Sequence, residues 1–288
     1  MKSKKHPTIG VALGSGGAKG LAHIGVLKTL EKHGIEIDYV AGSSIGALIG
    51  SYYAAYPNLT GLEKLVFDFN RKQGFSLFDP AIRGGLLKGN RLEEFISDML
   101  EGATFEKLRI PFIAVATDFN TAEEVLIRDG SLVKAVRASI AIPAIFQPIW
   151  YKDRLLADGG LSDPIPVRAV KAVGSDIVIA VNLDSATFRN QETKKLPVFS
   201  TIPMHAITIL RHHLALQTIQ AADIIITPKT APVSLIGWNY FFDNEKAKSM
   251  IEAGEKAAEK IIPDLLKLIE QKREEKQNVL QRIVSFFR

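Results

Sequence analysis

The amino-acid sequence predicts an α/β protein, a three-layer α/β/α sandwich with a mainly parallel central sheet. Segments typical of strands and of helices alternate along the chain, which is the order found in parallel sheets. The predicted strands, such as residues 8–13 and 111–116, are continuous apolar runs, as expected for strands that helices cover on both faces. The 288 residues are 47% hydrophobic and 23% charged, so one large core can form without disulfides or metals.

The first half of the chain contains three predicted strands and four predicted helices. Residues 8–13 form an apolar strand that ends in a glycine-rich turn, and residues 18–33 form a helix because their apolar side chains recur at helical spacing. Gly34 follows at a position where helices commonly end. The remaining elements of this half are a short strand at 39–41, helices at 45–55, 60–72 and 90–101, and a strand at 111–116.

The second half continues the alternation as far as a long C-terminal helix. Its elements are strands at 124–127, 154–157, 176–181 and 223–226, and helices at 132–139, 165–173, 201–220 and 245–288. No linker, repeat or low-complexity tract divides the chain, so residues 1–266 are predicted to be one domain. Residues 267–288 are predicted to be a charged amphipathic C-terminal helix.

Composition and targeting patterns narrow the class of protein. The absence of cysteine excludes disulfides, thiolate metal sites and cysteine nucleophiles, and the net charge of +5 mildly favours anionic partners. Residues 8–13 are too short for the apolar region of a signal peptide. Residues 39–62 carry no charge but are rich in glycine, serine and tyrosine, which indicates a buried strand–turn–helix rather than a membrane span. We therefore expect a cytoplasmic protein, with peripheral contact at the inner face of the membrane left open.

Two glycine-containing turns lie between a predicted strand and a predicted helix. Residues 14–20, G-S-G-G-A-K-G, would expose backbone N–H groups at a helix N-terminus, which suits a phosphate or an oxyanion equally well. This loop fits neither the dinucleotide fingerprint nor the P-loop. Residues 42–46 form the pattern G-x-S-x-G, in which a sharp turn exposes the hydroxyl of Ser44 and leaves no room for side chains two positions away. Ser43 is interpreted as a cap or a turn residue.

A serine nucleophile needs a base, and two candidates remain from the residues alone. Asp158 stands in an Asp-Gly-Gly turn after the strand at 154–157, although such turns are usually structural. His205 follows Ser44 and Asp158 in the order of the α/β-hydrolase triad, but Ser44 comes too early in the chain for that fold. A direct pair of Ser44 and Asp158 is the other option.

The ordered trio of residues 16–20, 42–46 and 158–160 resembles the patatin-like phospholipase family. The closer similarity is to its bacterial members akin to the catalytic domain of neuropathy target esterase. The block from Arg137 to Pro148 and the pair Ala222-Asp223 are also similar to family blocks, so the resemblance covers about residues 7–265. The family fold that it implies is a parallel-sheet α/β/α sandwich.

The resemblance implies a role for each matched residue. Ser44 would be the nucleophile and Asp158 its partner and general base. The oxyanion hole would be formed at Gly16, Gly17, Ala18 and Lys19, where Lys19 takes the place of the family's basic residue. Ser15 replaces the first glycine of the family's triplet, and a serine amide can still donate. The further motif glycines are Gly20, Gly42, Gly46, Gly159 and Gly160.

The resulting prediction is a serine esterase or phospholipase-like lipid hydrolase, of lysophospholipase or phospholipase A type, that works through an acyl-enzyme without metal or cofactor. We expect a lipid or another ester as substrate and no nucleic acid, with a homo-oligomer left open. Three apolar segments are candidates for lipid contact: a lid at 75–88, an aromatic cluster at 235–242 and the stretch at 278–288. The alternative for the lid is an ordinary packed loop. The aromatic cluster is expected in the core or in the wall of an acyl pocket rather than as a membrane anchor. The alternative for the last stretch is packing on the domain or on a second copy.

Two rival functions remain open beside a His205 triad. One is a phosphate- or nucleotide-binding module that uses the loop at 14–20. The other is a lipid-binding regulator that has lost catalysis.

Overall fold

A computed structural model describes residues 6–68, 77, 79–184, 201–231, 238–241 and 243–286. Its core is one eight-stranded sheet in the order β5-β6-β3-β2-β1-β7-β8, with β4 paired to β3 beside this path. The strands are β1 (Ile9–Leu13), β2 (Tyr39–Ser43), β3 (Phe112–Asp118), β4 (Glu124–Ile127), β5 (Ile149–Tyr151), β6 (Arg154–Asp158), β7 (Ile177–Val181) and β8 (Ile224–Ile226). Strands β3, β2, β1, β7 and β8 run parallel, and β4, β5 and β6 pair antiparallel. The predicted α/β class with a mainly parallel sheet is confirmed.

Helices cover both faces of this sheet. They are α1 (Leu21–Lys32), α2 (Ile45–Ala55), α3 (Thr60–Asp68), α4 (Asn90–Leu100), α5 (Leu132–Ser139), α6 (Val167–Ala172), α7 (Ile202–Thr218), α8 (Trp238–Phe241) and α9 (Asn244–Phe286). Short 3-10 turns stand at Gly17–Gly20, Phe105–Lys107, Gly159–Leu161 and Ile219–Ala221.

Alternate residues of the central strand β1 pack into two different layers. Val11 and Leu13 are fully buried in the larger layer, which includes residues of α1, α2, α4, α5 and α9. Ala12, between them, packs in the smaller layer with residues of α6 and α7. Both faces of β1 are therefore removed from water, which is why its sequence is a continuous apolar run.

The pairing of β3 brings the two sequence motifs together. The first half of β3 pairs with β2, so that Ser43 lies opposite Val115. The second half pairs with β6, so that Asp158 lies opposite the next residue, Ala116. The residue that follows Ser43 and the residue that ends β6 are thus neighbours, although 114 positions separate them in sequence.

The structure differs from the predicted elements in small ways. Strand β5 is not predicted from the sequence, because its three residues include the exposed Trp150 and show no clear period. Strand β3 continues two residues past the predicted end at 116, since Thr117 and Asp118 pair with β4 and β6 although they are polar. Helix α9 runs through residue 266 without a break.

The segment proposed as a lid is only partly described. Leu87 is buried and exchanges backbone hydrogen bonds with Ile145 and Gln147, whereas Leu86 is exposed. The guanidinium of Arg137 donates to the carbonyl oxygens of residues 88, 89 and 147, which ties the end of this segment to α5. The predicted lid residues Phe75 and Phe78 lie outside the described residues, as do residues 235–237 and 242 of the aromatic cluster.

Among the residues that the structure describes, no helix has both the length and the hydrophobicity needed to cross a membrane.

Candidate active site

Ser44 occupies a sharp turn between β2 and α2. Its φ of 55° and ψ of −123° place a non-glycine residue in a strained region of backbone space, at a cost of about 1–3 kcal/mol. Two hydrogen bonds hold this conformation: the Ser44 amide donates to Ser139 Oγ at 2.9 Å, and the Ser44 carbonyl accepts from Ala47 N at 2.8 Å. The strain is thus maintained by the start of α2 and by the end of α5.

The two glycines of the G-x-S-x-G pattern are required by space. A Cβ on Gly42 would lie 2.3 Å from the carbonyl oxygen of Gly46, and a Cβ on Gly46 would lie 2.1 Å from the carbonyl oxygen of Leu13. Both contacts are with backbone, which cannot move aside as a side chain can. The turn can therefore approach β1 this closely only without side chains at these positions.

The hydroxyl of Ser44 donates a hydrogen bond of 2.6 Å to Asp158 Oδ2. The other carboxylate oxygen, Oδ1, accepts from Gly160 N at 2.8 Å, and Thr117 Oγ1 donates to the Asp158 carbonyl at 2.8 Å. Ser44 and Asp158 are only 4% and 6% exposed. Both oxygens of a nearly buried carboxylate are therefore held in place, and one of them is directed at the serine.

Burial dominates the acidity of Asp158. Loss of solvation raises the pKa of its carboxyl to about 6, against the opposing effects of the hydrogen bonds from Ser44 and Gly160 and of the positive charge of Arg211. At neutral pH the carboxyl is mainly ionised, and it binds a proton more tightly than an exposed aspartate does. These are the properties expected of a general base.

The glycine-rich loop follows β1 and borders the same turn. Gly17 has φ 57°, in the left-handed region, and starts the 3-10 turn that leads into α1. Ser15 N donates to the Pro164 carbonyl at 2.8 Å, and a Cβ on Gly20 would lie 2.2 Å from Ile45 Cγ1. The loop is thus packed between the Asp158 turn and the first turn of α2, and Gly17 lines a cavity together with Ser44.

The side chain of Lys19 enters a buried charge cluster. Its Nζ donates to the Leu183 carbonyl at 2.8 Å and lies 3.3 Å from Asp184 Oδ1. Asp184 also receives two hydrogen bonds from Arg211, from Nε at 2.9 Å and from Nη2 at 2.8 Å. The two cations hold the pKa of Asp184 below its usual value in spite of its burial. Lys19 therefore contributes its charge to this cluster, and only its backbone lies in the glycine-rich turn.

An apolar cavity of about 140 Å³ opens at Ser44. Its lining is almost entirely aliphatic and aromatic, and includes Leu48, Leu65, Phe95, Phe146 and Phe241. A dry cavity of this size in another protein holds a six-carbon ring. The cavity thus offers a hydrophobic substituent a place directly beside the serine hydroxyl.

The base that the Ser44 hydroxyl contacts is a carboxylate and not a histidine. His205 is an exposed residue of α7, while the hydroxyl of Ser44 is hydrogen-bonded to Asp158. His23 is fully buried and its Nε2 donates to the Gly14 carbonyl at 2.8 Å, and burial lowers its pKa to about 4. His23 thus supports the glycine-rich loop as a neutral hydrogen-bond donor.

Several residues of the site are not predicted from the sequence. Ser139, which holds the Ser44 amide, lies in a block noted only for its family resemblance, and Thr117 lies at the polar end of a buried strand. Arg211 and Asp184 are far from Ser44 in the sequence. The signals for them in the sequence are that Arg211 is a charge within an apolar helix and that Asp184 follows an apolar strand. Such charges are rarely buried without a partner.

The fold and the site define an α/β protein that carries a serine–carboxylate pair, with Ser44 after the parallel strand β2 and Asp158 at the end of the antiparallel strand β6. Ser44 stands in the strand–serine–helix turn of serine hydrolases. Comparison with known families agrees: the model described as patatin-like phospholipase matches residues 11–171, more than half of the chain. The chain belongs to the patatin-like phospholipase family.

Curated relatives support the same assignment. The chain is 38% identical over 187 residues to an uncharacterized NTE family protein of Mycobacterium bovis, covering 65% of this chain and 52% of that protein. It is 32% identical over 185 residues to human patatin-like phospholipase domain-containing protein 6, covering 62% of this chain and 13% of that protein. The chain thus spans about half the length of the mycobacterial relative and a small part of the human one.

The fold also has a counterpart among solved structures. VipD from Legionella pneumophila superposes with a TM-score of 0.52 at 15% sequence identity, over 91% of this chain and 67% of that one. A sequence identity of 15% means that the similarity to VipD shows a shared fold and no more.

Proposed function

We propose that this chain is a serine acyl hydrolase that cleaves carboxylic esters of lipids through Ser44 and Asp158. The observation that carries the proposal is the 2.6 Å hydrogen bond from Ser44 Oγ to Asp158 Oδ2 at the mouth of an apolar cavity. Membership of the patatin-like phospholipase family supports the same class of reaction.

The reaction would proceed through an acyl-enzyme. Ser44 Oγ attacks the carbonyl carbon of the ester while its proton passes to the Asp158 carboxylate. The C–O bond to the leaving group then breaks, and the proton on Asp158 goes to the departing alcohol. Water, deprotonated by Asp158, attacks the acyl carbon and releases the acid, and Ser44 recovers its proton. The raised pKa of Asp158 makes the carboxylate a better base. General base catalysis contributes about 10²–10⁴ in rate.

The negative charge on the carbonyl oxygen would be stabilised by backbone amides of the glycine-rich loop. Gly17 borders the cavity beside Ser44, and Gly16, Ala18 and Lys19 adjoin it in the chain. Each donor of this kind contributes about 10²–10³ in rate. The positive ends of the two helices that start at these turns add to the effect.

The cavity supports a lipid as substrate. Its apolar lining at Ser44 would take the acyl chain, because burial of each methylene group contributes about 0.8 kcal/mol. Ester substrates fit the single weak base better than amides, because an alkoxide leaves more easily than an amide anion and depends less on a proton from Asp158. A phospholipase A or lysophospholipase reaction at the inner face of the cytoplasmic membrane is the specific form that we propose.

The proposal is tested with p-nitrophenyl esters and a fluorophosphonate label, applied to the wild type and to the variants Ser44→Ala, Asp158→Asn and Ser43→Ala. We expect Ser44→Ala to lose both labelling and turnover, and Asp158→Asn to lose at least about 10²-fold in kcat. Ser43→Ala is the matched control, because the Ser43 hydroxyl is buried and has no hydrogen-bond partner among the described residues. Full labelling of the Ser44→Ala protein would overturn the assignment.

The rival base is tested by His205→Ala. The Ser44–Asp158 mechanism predicts nearly normal turnover for this variant, whereas a triad through His205 predicts a loss comparable to that of Asp158→Asn.

A further inference from the structure

A second pair of carboxyl groups lies beside the turn that carries Asp158. Asp163, five residues after Asp158, is fully buried. Glu124 stands on β4, where it pairs across the ladder with Thr117, and its side chain is 24% exposed. Neither residue takes part in the reaction proposed above.

The two carboxyl groups lie close enough for the charge of Glu124 to act on Asp163. Asp163 Oδ2 and Glu124 Oε1 are both buried, and within the described part of the chain no N–H or O–H group donates to either oxygen. Ionised carboxylates only accept hydrogen bonds, so two of them cannot bond to one another. Two ionised groups would leave both buried oxygens without a donor, whereas a single proton between them would give both a partner.

The surrounding charges indicate which residue carries the proton. Arg168 Nη2, on α6, lies 3.6 Å from Glu124 Oε2. Burial and repulsion from Glu124 raise the pKa of Asp163 well above its usual value, against a smaller opposing effect of Arg168. Glu124 and Arg168 are the charged groups that face Asp163 from the strand and the helix packed against it. Asp163 is therefore the protonated partner.

Asp163 is hydrogen-bonded within the turn that carries Asp158, and its neighbour Pro164 contacts the glycine-rich loop. Its amide donates to the Gly159 carbonyl at 3.0 Å, which closes the turn that begins at Asp158, and its Oδ1 accepts from Ile165 N at 3.2 Å. The next residue, Pro164, accepts the hydrogen bond from Ser15 N in the glycine-rich loop. A displacement of Asp163 would thus disturb the Asp158 turn and the adjacent loop together.

Ser162 adds a second connection to Asp158. Its hydroxyl lies 2.8 Å from Thr117 Oγ1, which in turn donates to the Asp158 carbonyl. Thr117 pairs with Glu124 across β3 and β4, so the carboxyl pair and the Asp158 turn share one short stretch of sheet.

We propose that Asp163 and Glu124 share one proton and act as a positioning pair that holds the turn at residues 158–164, and with it Asp158, in its active geometry. When the proton is lost at alkaline pH, two negative charges meet in a buried site and the turn is displaced. The inference rests on the proposed function of Asp158. It predicts an alkaline fall in kcat/KM that does not come from the reacting groups.

The test is the variant Asp163→Asn, measured with a p-nitrophenyl ester between about pH 5 and about pH 10. The asparagine keeps the shape and both contacts: Oδ1 still accepts from Ile165 N, and Nδ2 donates to Glu124. We expect kcat/KM within about threefold of the wild type at neutral pH, and an alkaline limb that is absent or moved up by about one pH unit or more. An unchanged alkaline limb would overturn the proposal.

Two further variants separate the positioning effect from general damage. Glu124→Gln removes the repelling charge and can donate to Asp163, so it should also weaken the alkaline limb. Glu123→Gln, at the exposed neighbouring position, is the matched control and should keep the wild-type profile. A Glu123→Gln profile altered like that of Asp163→Asn would count against the pair.

A measurement without turnover distinguishes failure of this proposal from failure of the proposed function. A carboxyl whose pKa is raised in the folded state contributes stability below its ordinary pKa that is lost as the pH rises through the raised value. The thermal midpoint of the wild type should therefore fall with rising pH more steeply than that of Asp163→Asn, whether or not an ester is hydrolysed. Parallel curves for the two proteins would refute the shared proton itself.

Discussion

At the scale of single residues, Asp158 combines two opposed demands. Its carboxylate has to be ionised to accept a proton from Ser44, yet burial favours the neutral form and raises its pKa to about 6. Arg211, held by Asp184, lowers this pKa and so keeps the carboxylate available. Arg211, a member of the charge cluster with Asp184 and Lys19, therefore affects the base electrostatically.

Activity should depend on pH in the way this balance implies. We expect kcat/KM to rise with pH through about 6, as Asp158 ionises, when turnover of a p-nitrophenyl ester is corrected for spontaneous hydrolysis. A profile that stays flat between about pH 5 and about pH 7 would contradict the assignment of Asp158 as base.

The same burial makes Asp158 a destabilising residue at neutral pH. Its folded-state pKa is raised above the ordinary value of 3.8, so the stabilisation present at acid pH is lost as the pH rises through about 6. We expect Asp158→Asn to raise the free energy of unfolding at pH 7 by roughly 1–3 kcal/mol while it lowers kcat at least about 10²-fold. Urea denaturation at pH 7 and at about pH 4 measures this, and the gain should shrink at the acid pH. A loss of stability in the variant at pH 7 would show that its hydrogen bonds matter more than the buried charge.

At the scale of elements, helices α1 and α9 cross at very short distance. A Cβ on Gly25 would lie 1.9 Å from the Ile251 carbonyl oxygen, and a Cβ on Gly254 would lie 2.0 Å from the Ala22 carbonyl oxygen. Each glycine thus admits the backbone of the other helix. This contact fixes the long C-terminal helix on the layer that also supports the glycine-rich loop.

Because of this crossing, we expect a glycine-to-alanine replacement in α1 to lower the stability of the protein. Replacement of a glycine by alanine within a helix normally stabilises by about 1 kcal/mol, but Gly25→Ala should destabilise by about 1–3 kcal/mol because the helices must move apart. Thermal or urea unfolding measures the change. Ser249→Ala, at an exposed position of α9, is the control and should leave stability unchanged or slightly raised. A Gly25→Ala protein as stable as that control would contradict the close crossing.

At the scale of the whole molecule, α9 connects the core to the charged C-terminal segment. Lys276 Nζ lies 2.6 Å from Asp176 Oδ2, and the same oxygen accepts hydrogen bonds from the amide and hydroxyl of Thr8. After Lys276 the sequence is rich in apolar residues and contains two arginines, and the apolar Val279 is exposed. The composition of residues 277–288 is that of an interfacial helix.

This segment should anchor the protein to anionic lipid. We expect the full chain to sediment with vesicles that contain phosphatidylglycerol and not with pure phosphatidylcholine, and to be released by salt. A chain that ends at residue 276 keeps the ion pair with Asp176 and should remain folded and catalytically normal on soluble esters, but should lose vesicle binding. Binding that survives the deletion would rule out this segment as the anchor.

Prediction from the sequence succeeds where the signal is local. The predicted boundaries of β4 and α5 agree with the structure, because in each a short patterned run is bounded by turn residues. The family resemblance is confirmed, because its motifs are glycine-dependent turns that leave a record in the sequence. The roles of Ser44 and Asp158 stay predictions until the variants are measured.

Prediction from the sequence fails for residues that contact each other but lie far apart in the chain. The hydroxyl of Ser139 that holds the Ser44 amide, and the pairing of Asp163 with Glu124, join segments about 40 or more positions apart. No periodicity or local motif marks such contacts, because the side chains meet only after β2, β3 and β6 have paired.

The sequence by itself determined the class of fold and the position of each turn that could carry chemistry, because strand, helix and glycine signals depend on a few neighbouring residues. Only the tertiary structure decided that the carboxylate of Asp158 faces the hydroxyl of Ser44, that Lys19 turns toward Asp184, and that Asp163 is buried. These contacts depend on the order of strands in the sheet and on burial, and both are properties of the whole folded chain.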